Sequence, residues 1–330
     1  MKNHPLKNDK FRTILGIILA VLAFVVVQVL ISTGTLTSYY QDIVFLMCIN
    51  IIMAVSLNLI TGFTGQFSLG HAGFMAIGAY VCALVIMELN TPFAFIIGIF
   101  AGAFFAAIVG CLIGFPTLRL KGDYLAIATL GLAEIIRIII INLDITNGAA
   151  GLFVYQRYTT WVWIFGFTVA TILVVRNFIR SSYGRACISI REDEIASEAM
   201  GINTTKYKII AFTLSSFLAG IGGALYASSF YMIQPTNFGF MKSIDFLIIV
   251  VLGGMGSISG SVIAAMLLGV INSFLQDFAE LRMIIYSALL ILIMLFRPQG
   301  LLGTKELSFR MLTGSYWKGL RSGKSKKARE

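Results

Sequence analysis

Glu134 and Arg137 stand three residues apart within an apolar stretch, a spacing at which a carboxylate and a guanidinium meet on one face of a helix. Ionisable groups at membrane depth are functional candidates by default, and a zwitterionic ligand needs both signs; the competing reading is a structural pair near a helix end. His71 is a second candidate, because imidazole titrates near neutral pH and can relay protons. It has no second histidine in the apolar stretches and no acidic neighbour in sequence, so a hydrogen bond that steadies the glycine-rich segment around it is the better account. Cys48, Cys82, Cys111 and Cys187 are scattered, with neither metal-ligand nor disulfide spacing. Gly323-Lys324-Ser325 mimics the end of a phosphate-binding loop, but Lys318 stands where that motif starts with glycine. No nucleophile elbow is present. The expectation is a chain that is not an enzyme, with no catalytic residues, no metal and no cofactor of its own.

The densest cluster of charge is Arg180 to Lys208, RSSYGRACISIREDEIASEAMGINTTKYK, which holds five basic and four acidic residues. Burying that many charges in lipid is prohibitive, so the segment lies in water. Cys187 to Met200 suits a helix with a narrow apolar stripe of Ile188, Ile195 and Ala199, continued by Ile202, and Gly201 suits a left-handed helix stop. Thr204 or Thr205 then caps the next helix. Such a projection is able to dock in a groove of a soluble partner, although a solvated connecting loop explains the charge equally well.

The elements that carry these groups follow from composition. With 58% hydrophobic and 12% charged residues and a mean hydropathy of +0.89, the chain reads as an all-α polytopic membrane protein. Ten spans of membrane length are legible at roughly 13–31, 43–60, 67–87, 93–115, 124–142, 161–179, 208–231, 243–255, 258–275 and 281–296, with eight to ten as the bounds. The first follows a basic stretch yet precedes many others, so it reads as an uncleaved helix rather than a signal peptide. Residues 1–12 and 304–330 form basic tails flanking a transmembrane domain at 13–303. These tails carry +3 and +6 of the net charge of +10. They suit topology signals and lipid headgroups rather than nucleic acid.

With the N-terminus inside, the segments 1–12, 116–123, 180–208 and 297–330 hold 20 of the 25 Lys and Arg residues, and the outside loops hold Arg157, Lys242 and Arg282. That asymmetry places both termini and the charged loop in the cytoplasm. Span 243–255 is short, but parity from the Lys242 loop to the basic tail requires it. Asp123 and Asp245 read as caps that open the fifth and eighth spans.

Two apolar regions are interrupted by glycine. The first places Gly62, Gly65, Gly70, Gly73 and Gly78 around Asn58, Gln66, Ser68 and His71; the second places Gly253, Gly254, Gly256 and Gly260 with Ser257 and Ser259. Paired breaks of this kind point to a substrate pathway built from discontinuous helices, and they are compatible with two inverted five-helix halves. Small residues recur every fourth position at Gly98, Gly102, Ala106, Gly110 and Gly114, and again at Ser216, Gly220, Ala224 and Ser228. They predict close helix contact, within the chain or with a second subunit.

Five ordered motifs, GFTGQFSLGHAGFMAIGAY, LKGDYLAIATLGLAEIIRI, SSYGRACISIREDEIASEAMGI, VVLGGMGSISG and MLFRPQGLLG, resemble the LivM-type permeases of branched-chain amino-acid ABC importers over about residues 43–303. The resemblance implies a multi-pass subunit of a bacterial cytoplasmic membrane that forms the pathway with a LivH-type permease. It also implies two cytoplasmic ATPases, which use ATP and Mg2+, and an extracytoplasmic substrate-binding protein. The charged loop becomes the ATPase-coupling element at 184–205, with Gly184, Arg185, Arg191, Glu192, Asp193, Glu194, Ala196, Glu198 and Gly201 as its candidate residues. The importer pattern of Glu-Ala-Ala followed by Gly is kept only at Ala196 and Gly201, since Ile195 and Ser197 replace the rest, so Glu194 and Glu198 are the acidic candidates for pairing. The pathway candidates are Asn58, Gly62, Gly65, Gln66, Ser68, Gly70, His71, Glu134, Arg137, Gly253, Gly254, Gly256 and Ser257. Similar permeases carry urea or short amides. The broken helices alone suit an ion-coupled secondary transporter equally well, although no midplane ion site accompanies them.

Overall fold

The computed structural model describes residues 18, 21–89, 91–117, 120, 122–274, 288, 291, 295, 300, 301 and 303. The last expected span, 281–296, and both basic tails therefore fall outside the described residues, apart from isolated positions. The chain divides into a unit of Met1–Gln41 with Lys305–Glu330 and a larger unit of Asp42–Thr304. In the first, helix α1 (Val21–Ser32) ends where Thr33 and Thr35 hydroxyls donate to the Val29 and Leu30 carbonyls, each at 2.9 Å.

The large unit is all-α, as the composition requires of a chain whose backbone must satisfy itself in lipid. Its helices are α2 (Ser38–Asn58, running on as a π turn at Leu59–Phe63), α3 (His71–Leu89), α4 (Pro92–Thr117), α5 (Asp123–Asn142) and α6 (Trp161–Arg180). After the short α7 (Ser182–Glu192) and α8 (Glu194–Ala199) come α9 (Thr204–Ser229), α10 (Phe240–Gly253) and α11 (Ile258–Phe274). Among the described residues six helices are long and apolar enough to cross a membrane: α2 with its π turn, α3, α4, α5, α6 and α9. Two residues each from the α5–α6 and α9–α10 connections pair as antiparallel strands, β1 (Leu152–Phe153) and β2 (Met232–Ile233).

The small-residue ridges are spent inside the chain. α3, α4 and α9 pack backbone to backbone: a Cβ on Gly220 would lie 2.7 Å from Ala103 Cα, and one on Gly102 would lie 2.7 Å from the Gly78 carbonyl oxygen. A Cβ on Gly78 would overlap the Gly220 carbonyl oxygen outright. Gly78→Ala is therefore expected to cost about 1–3 kcal/mol by overpacking, visible as a lowered Tm of the purified protein. Gly131→Ala, where a Cβ meets nothing within 4 Å, should leave Tm unchanged or raise it.

Several local expectations are corrected. α5 starts behind Gly122 at φ +58, and Asp123 is its first residue rather than its cap. α10 starts behind Gly239 and carries Asp245 in its second turn, so Asp245 caps nothing. At 14 residues and about 1.5 Å per residue α10 is roughly 21 Å long, shorter than the ~30 Å hydrocarbon core. The charged loop is not one helix over 187–200. Asp193 breaks it, leaving the α7 helix with extended geometry and accepting from the Ala196 amide at 3.0 Å to cap α8. The cap of α9 is Asn203, whose side chain accepts from the Lys206 amide at 3.0 Å, rather than Thr204 or Thr205. Gly201 does stop α8 in the left-handed region, at φ +85, where a side chain would be strained.

Candidate functional site

Both glycine-rich interruptions are real breaks. After the π turn the chain runs without helix to His71, where α3 begins; α10 ends at Gly253, and Gly254 and Gly256 adopt φ of +109 and +87 before α11. The sequence places these breaks almost 200 residues apart, and the fold joins them through one buried side chain. Asn58, at the foot of α2, donates from Nδ2 to the Ser257 carbonyl at 2.9 Å and to the Ser261 hydroxyl at 2.8 Å. Its Oδ1 accepts from the Gly256 amide at 2.9 Å. Backbone freed by the breaks is thus satisfied by protein, as a dry environment demands. Leu301 also returns here, its amide donating to the Leu252 carbonyl at 2.8 Å.

The start of α3 is tied down by hydroxyls. Ser56 Oγ and His71 Nε2 lie 2.8 Å apart, with His71 fully buried. This is the steadying hydrogen bond expected of His71. The Ala72 amide, one of the unpaired donors at a helix start, gives its hydrogen to Ser243 Oγ on α10 at 3.1 Å. The Leu69 amide donates to Thr129 Oγ1 on α5 at 3.0 Å. Gly70 fits closely against the Thr129 backbone, and Ser68 is buried beside it.

The charged loop reaches this junction. Arg191, at the end of α7, donates from Nη1 to the Gly62 carbonyl in the π turn at 2.8 Å and from Nε to Glu192 at 3.0 Å. A Cβ on Gly65 would meet Arg191 Cγ at 3.0 Å. Arg191, Asp193, Glu194 and Lys208 line a cleft of about 230 Å³ with Gly65, Gln66 and Gly122. Every interior segment of the expected topology from 61 to 208 contributes to that cleft. The Gln66 side chain is 3% exposed, and neither of its amide atoms has a hydrogen-bond partner. An unsatisfied buried amide costs about 1–3 kcal/mol.

Within the loop the acidic candidates are already engaged. Glu194 accepts from Lys208 Nζ at 2.6 Å and Glu198 from the Thr204 hydroxyl at 2.7 Å, both holding α8 against α9. Gly184 packs into the α6–α7 corner beneath Ile179, while Arg185 bonds the Arg180 carbonyl at 2.9 Å. Burial pushes the Cys187 thiol up to about 11 despite a hydrogen bond from Thr64, so it stays protonated and unreactive. Beside its exposed charges the loop presents two large apolar side chains outward: Ile195 is 76% and Met200 83% exposed.

Glu134 and Arg137 form the expected pair at 2.7 Å, with about 28% of each side chain exposed. They bond each other, and no described hydrogen bond joins them to the breaks. Sequence reasoning overlooked a second cavity, between α2, α10 and α11, lined by Lys242, Asp245, Asn50 and Asn272. Its signal was present. Lys242 and Asp245 have the same i, i+3 opposite-charge spacing as the α5 pair, but in the sequence they resemble an outside loop residue and a helix cap.

A family model described as branched-chain amino acid transport system, permease component, matches residues 39–294. The chain is 36% identical over 321 residues to the high-affinity branched-chain amino acid transport system permease protein LivM of Escherichia coli K12, covering 87% of this chain and 74% of that one. It is 37% identical over 308 residues to LivM of Salmonella typhimurium, covering 83% and 72%. LivH of the same organism is 26% identical over 291 residues, covering 78% of this chain and 92% of its own length. No solved structure matches.

Proposed function

This chain belongs to the family of permease components of branched-chain amino acid transport systems, and from that premise we propose how it works. It is a multi-pass transmembrane permease subunit of an ABC importer. Its pathway is completed by a LivH-like second permease, two cytoplasmic ATPases supply the energy, and an extracytoplasmic binding protein delivers the amino acid. The charged loop and both termini face the cytoplasm, in accord with the Lys and Arg asymmetry. The similarity to LivM and LivH proteins gives no support to a urea permease or a gradient-driven carrier.

The observation that carries the mechanism is the bond from Arg191 to the Gly62 carbonyl, because it links the loop to the π turn that Asn58 pins to the second break. When hydrolysis lets the two ATPases separate, α7 and α8 move with them. Arg191 transmits that movement to the π turn, and the Asn58 bonds to Gly256, Ser257 and Ser261 part to open the cytoplasmic end. Gln66, buried without a partner here, gains one in the opened arrangement, which lowers the cost of leaving this one. A two-state element biased by a partner is what coupling requires.

Docking rests on the apolar tip rather than on acidic residues. Ile195→Glu with Met200→Glu is expected to cut ATPase co-purification by about tenfold or more, as for central apolar anchors of an interface, with membrane insertion unchanged. Charge reversal at Glu194 and Glu198 acts differently, since it removes the Lys208 and Thr204 bonds that shape the loop. Full ATPase recovery with the Ile195 and Met200 double variant would remove the tip from the interface.

A further inference from the structure

At the end of α2, α10 and α11 away from the break junction lies a cavity of about 170 Å³ that holds both signs of charge. Asn50 precedes Asn58 by two turns, so this cavity and the junction are roughly 12 Å apart along α2 at about 1.5 Å per residue. Lys242 and Asp245 reach it from neighbouring positions on one turn of α10, with the Lys242 ammonium 5.2 Å from the centre of the Phe246 ring. Asn50, 9% exposed, lines it from α2. From α11 comes Asn272, whose Oδ1 is buried without a hydrogen-bond partner. Met47, Ile249 and Leu268 supply an apolar wall.

Opposite charges, an unsatisfied buried acceptor and an aliphatic wall are the complement of one ligand class. We propose that this cavity is a transit subsite for an α-amino acid zwitterion. Lys242 receives the carboxylate, Asp245 and Asn272 Oδ1 receive the ammonium, and Met47, Ile249 and Leu268 face a branched aliphatic side chain. Lys242 and Asp245 already have interaction partners, so the zwitterion enters by exchange, replacing charge-assisted bonds with equivalent ones. Exchange of like for like keeps the residence short, as passage requires. The assignment rests on the branched-chain amino acid reading and adds the place where the head group is recognised. The Glu134–Arg137 pair, for which the sequence offered both a zwitterion reading and a structural ion pair, lines neither this cavity nor the cleft at Arg191.

The test uses the complete transporter in proteoliposomes, with its binding protein and L-leucine as probe. Asp245→Asn and Lys242→Met should each lower the initial rate of leucine uptake by about tenfold or more, the equivalent of one charge-assisted bond lost in passage. ATPase co-purification and association of the loaded binding protein should stay within about twofold of wild type. Uptake within about twofold of wild type overturns the proposal, as does a loss that tracks failed binding-protein association, which makes these charges a docking surface instead. Should a charge variant fail to assemble, Ser273→Cys in a Cys111→Ser background probes the same cavity with both charges kept. A charged thiosulfonate reagent added on the binding-protein side must then block leucine uptake, with leucine slowing the block; no block overturns the assignment. Wild-type liposomes that carry urea but no branched-chain amino acid sink the substrate reading, whereas wild-type leucine uptake with unaffected variants sinks the subsite alone.

Discussion

Replacing Arg191 with alanine is expected to abolish most transport while leaving the complex assembled. The guanidinium is three-quarters buried and gives a charge-assisted bond to the Gly62 carbonyl. A bond of that kind contributes about 1.5–3 kcal/mol, and its loss frees the loop from the π turn. Leucine uptake should fall about tenfold or more, the rate equivalent of roughly 1.4 kcal/mol or more, with ATP hydrolysis retained and no longer linked to uptake. Arg191→Lys should recover part of the rate, since ammonium supplies one donor without the planar fork that also holds Glu192. Glu192→Gln is the control: Glu192 is 68% exposed and contacts Arg191 without reaching the π turn, so uptake should change little. Loss of ATPase co-purification in Arg191→Ala would instead make Arg191 part of the docking face.

Asn58→Leu should both destabilise the protein and leave its cytoplasmic end unsealed. The leucine keeps the branched shape of the side chain but deprives the Gly256 amide of its acceptor and removes two donated bonds to Ser257 and Ser261. The Ser257 carbonyl still receives the Ser261 hydroxyl at 3.2 Å, so the main penalty is one orphaned amide at about 1–3 kcal/mol, with about 0.5–1.5 kcal/mol for each bond lost besides. A total of about 2–6 kcal/mol should appear as a lowered Tm. Leucine loaded into liposomes should also leak without ATP, which intact wild type prevents. Tight liposomes with an unchanged Tm would show that the breaks are held by packing alone.

The parts of this site differ in how far they could be read from sequence. The charged loop and both helix breaks were legible, because nine charges cannot enter lipid and glycines with polar residues cannot continue an apolar helix. Their meeting was not legible, because the Asn58 contact to Ser257 spans 199 positions and no local pattern announces it. Asn58 advertised a need for partners without naming them. Asp193 misled differently: an exposed aspartate is tolerable inside a helix, and whether it caps a new one depends on Ser189 meeting Ser197 at 2.8 Å and on Arg191 reaching Gly62. Glu194 and Glu198 looked available for a partner because their charge is visible in sequence, whereas Lys208 and Thr204 become their neighbours only when α8 folds back on α9. The small-residue ridges announced close contact correctly, and the fold supplied the partner, with Gly78, Gly102 and Gly220 meeting inside the chain. The division into two inverted five-helix halves depends on a last span that lies outside the described residues.

The central claim is that this chain passes branched-chain amino acids through a pathway opened by ATP in partner subunits. The most direct measurement is L-leucine uptake by proteoliposomes holding both permeases and both ATPases, with loaded binding protein outside and ATP supplied to the ATPase side. Uptake that requires hydrolysable ATP, persists when ionophores collapse every ion gradient and is lost with Arg191→Ala is the predicted result. Uptake that continues without ATP and stops when the gradients collapse would contradict the account.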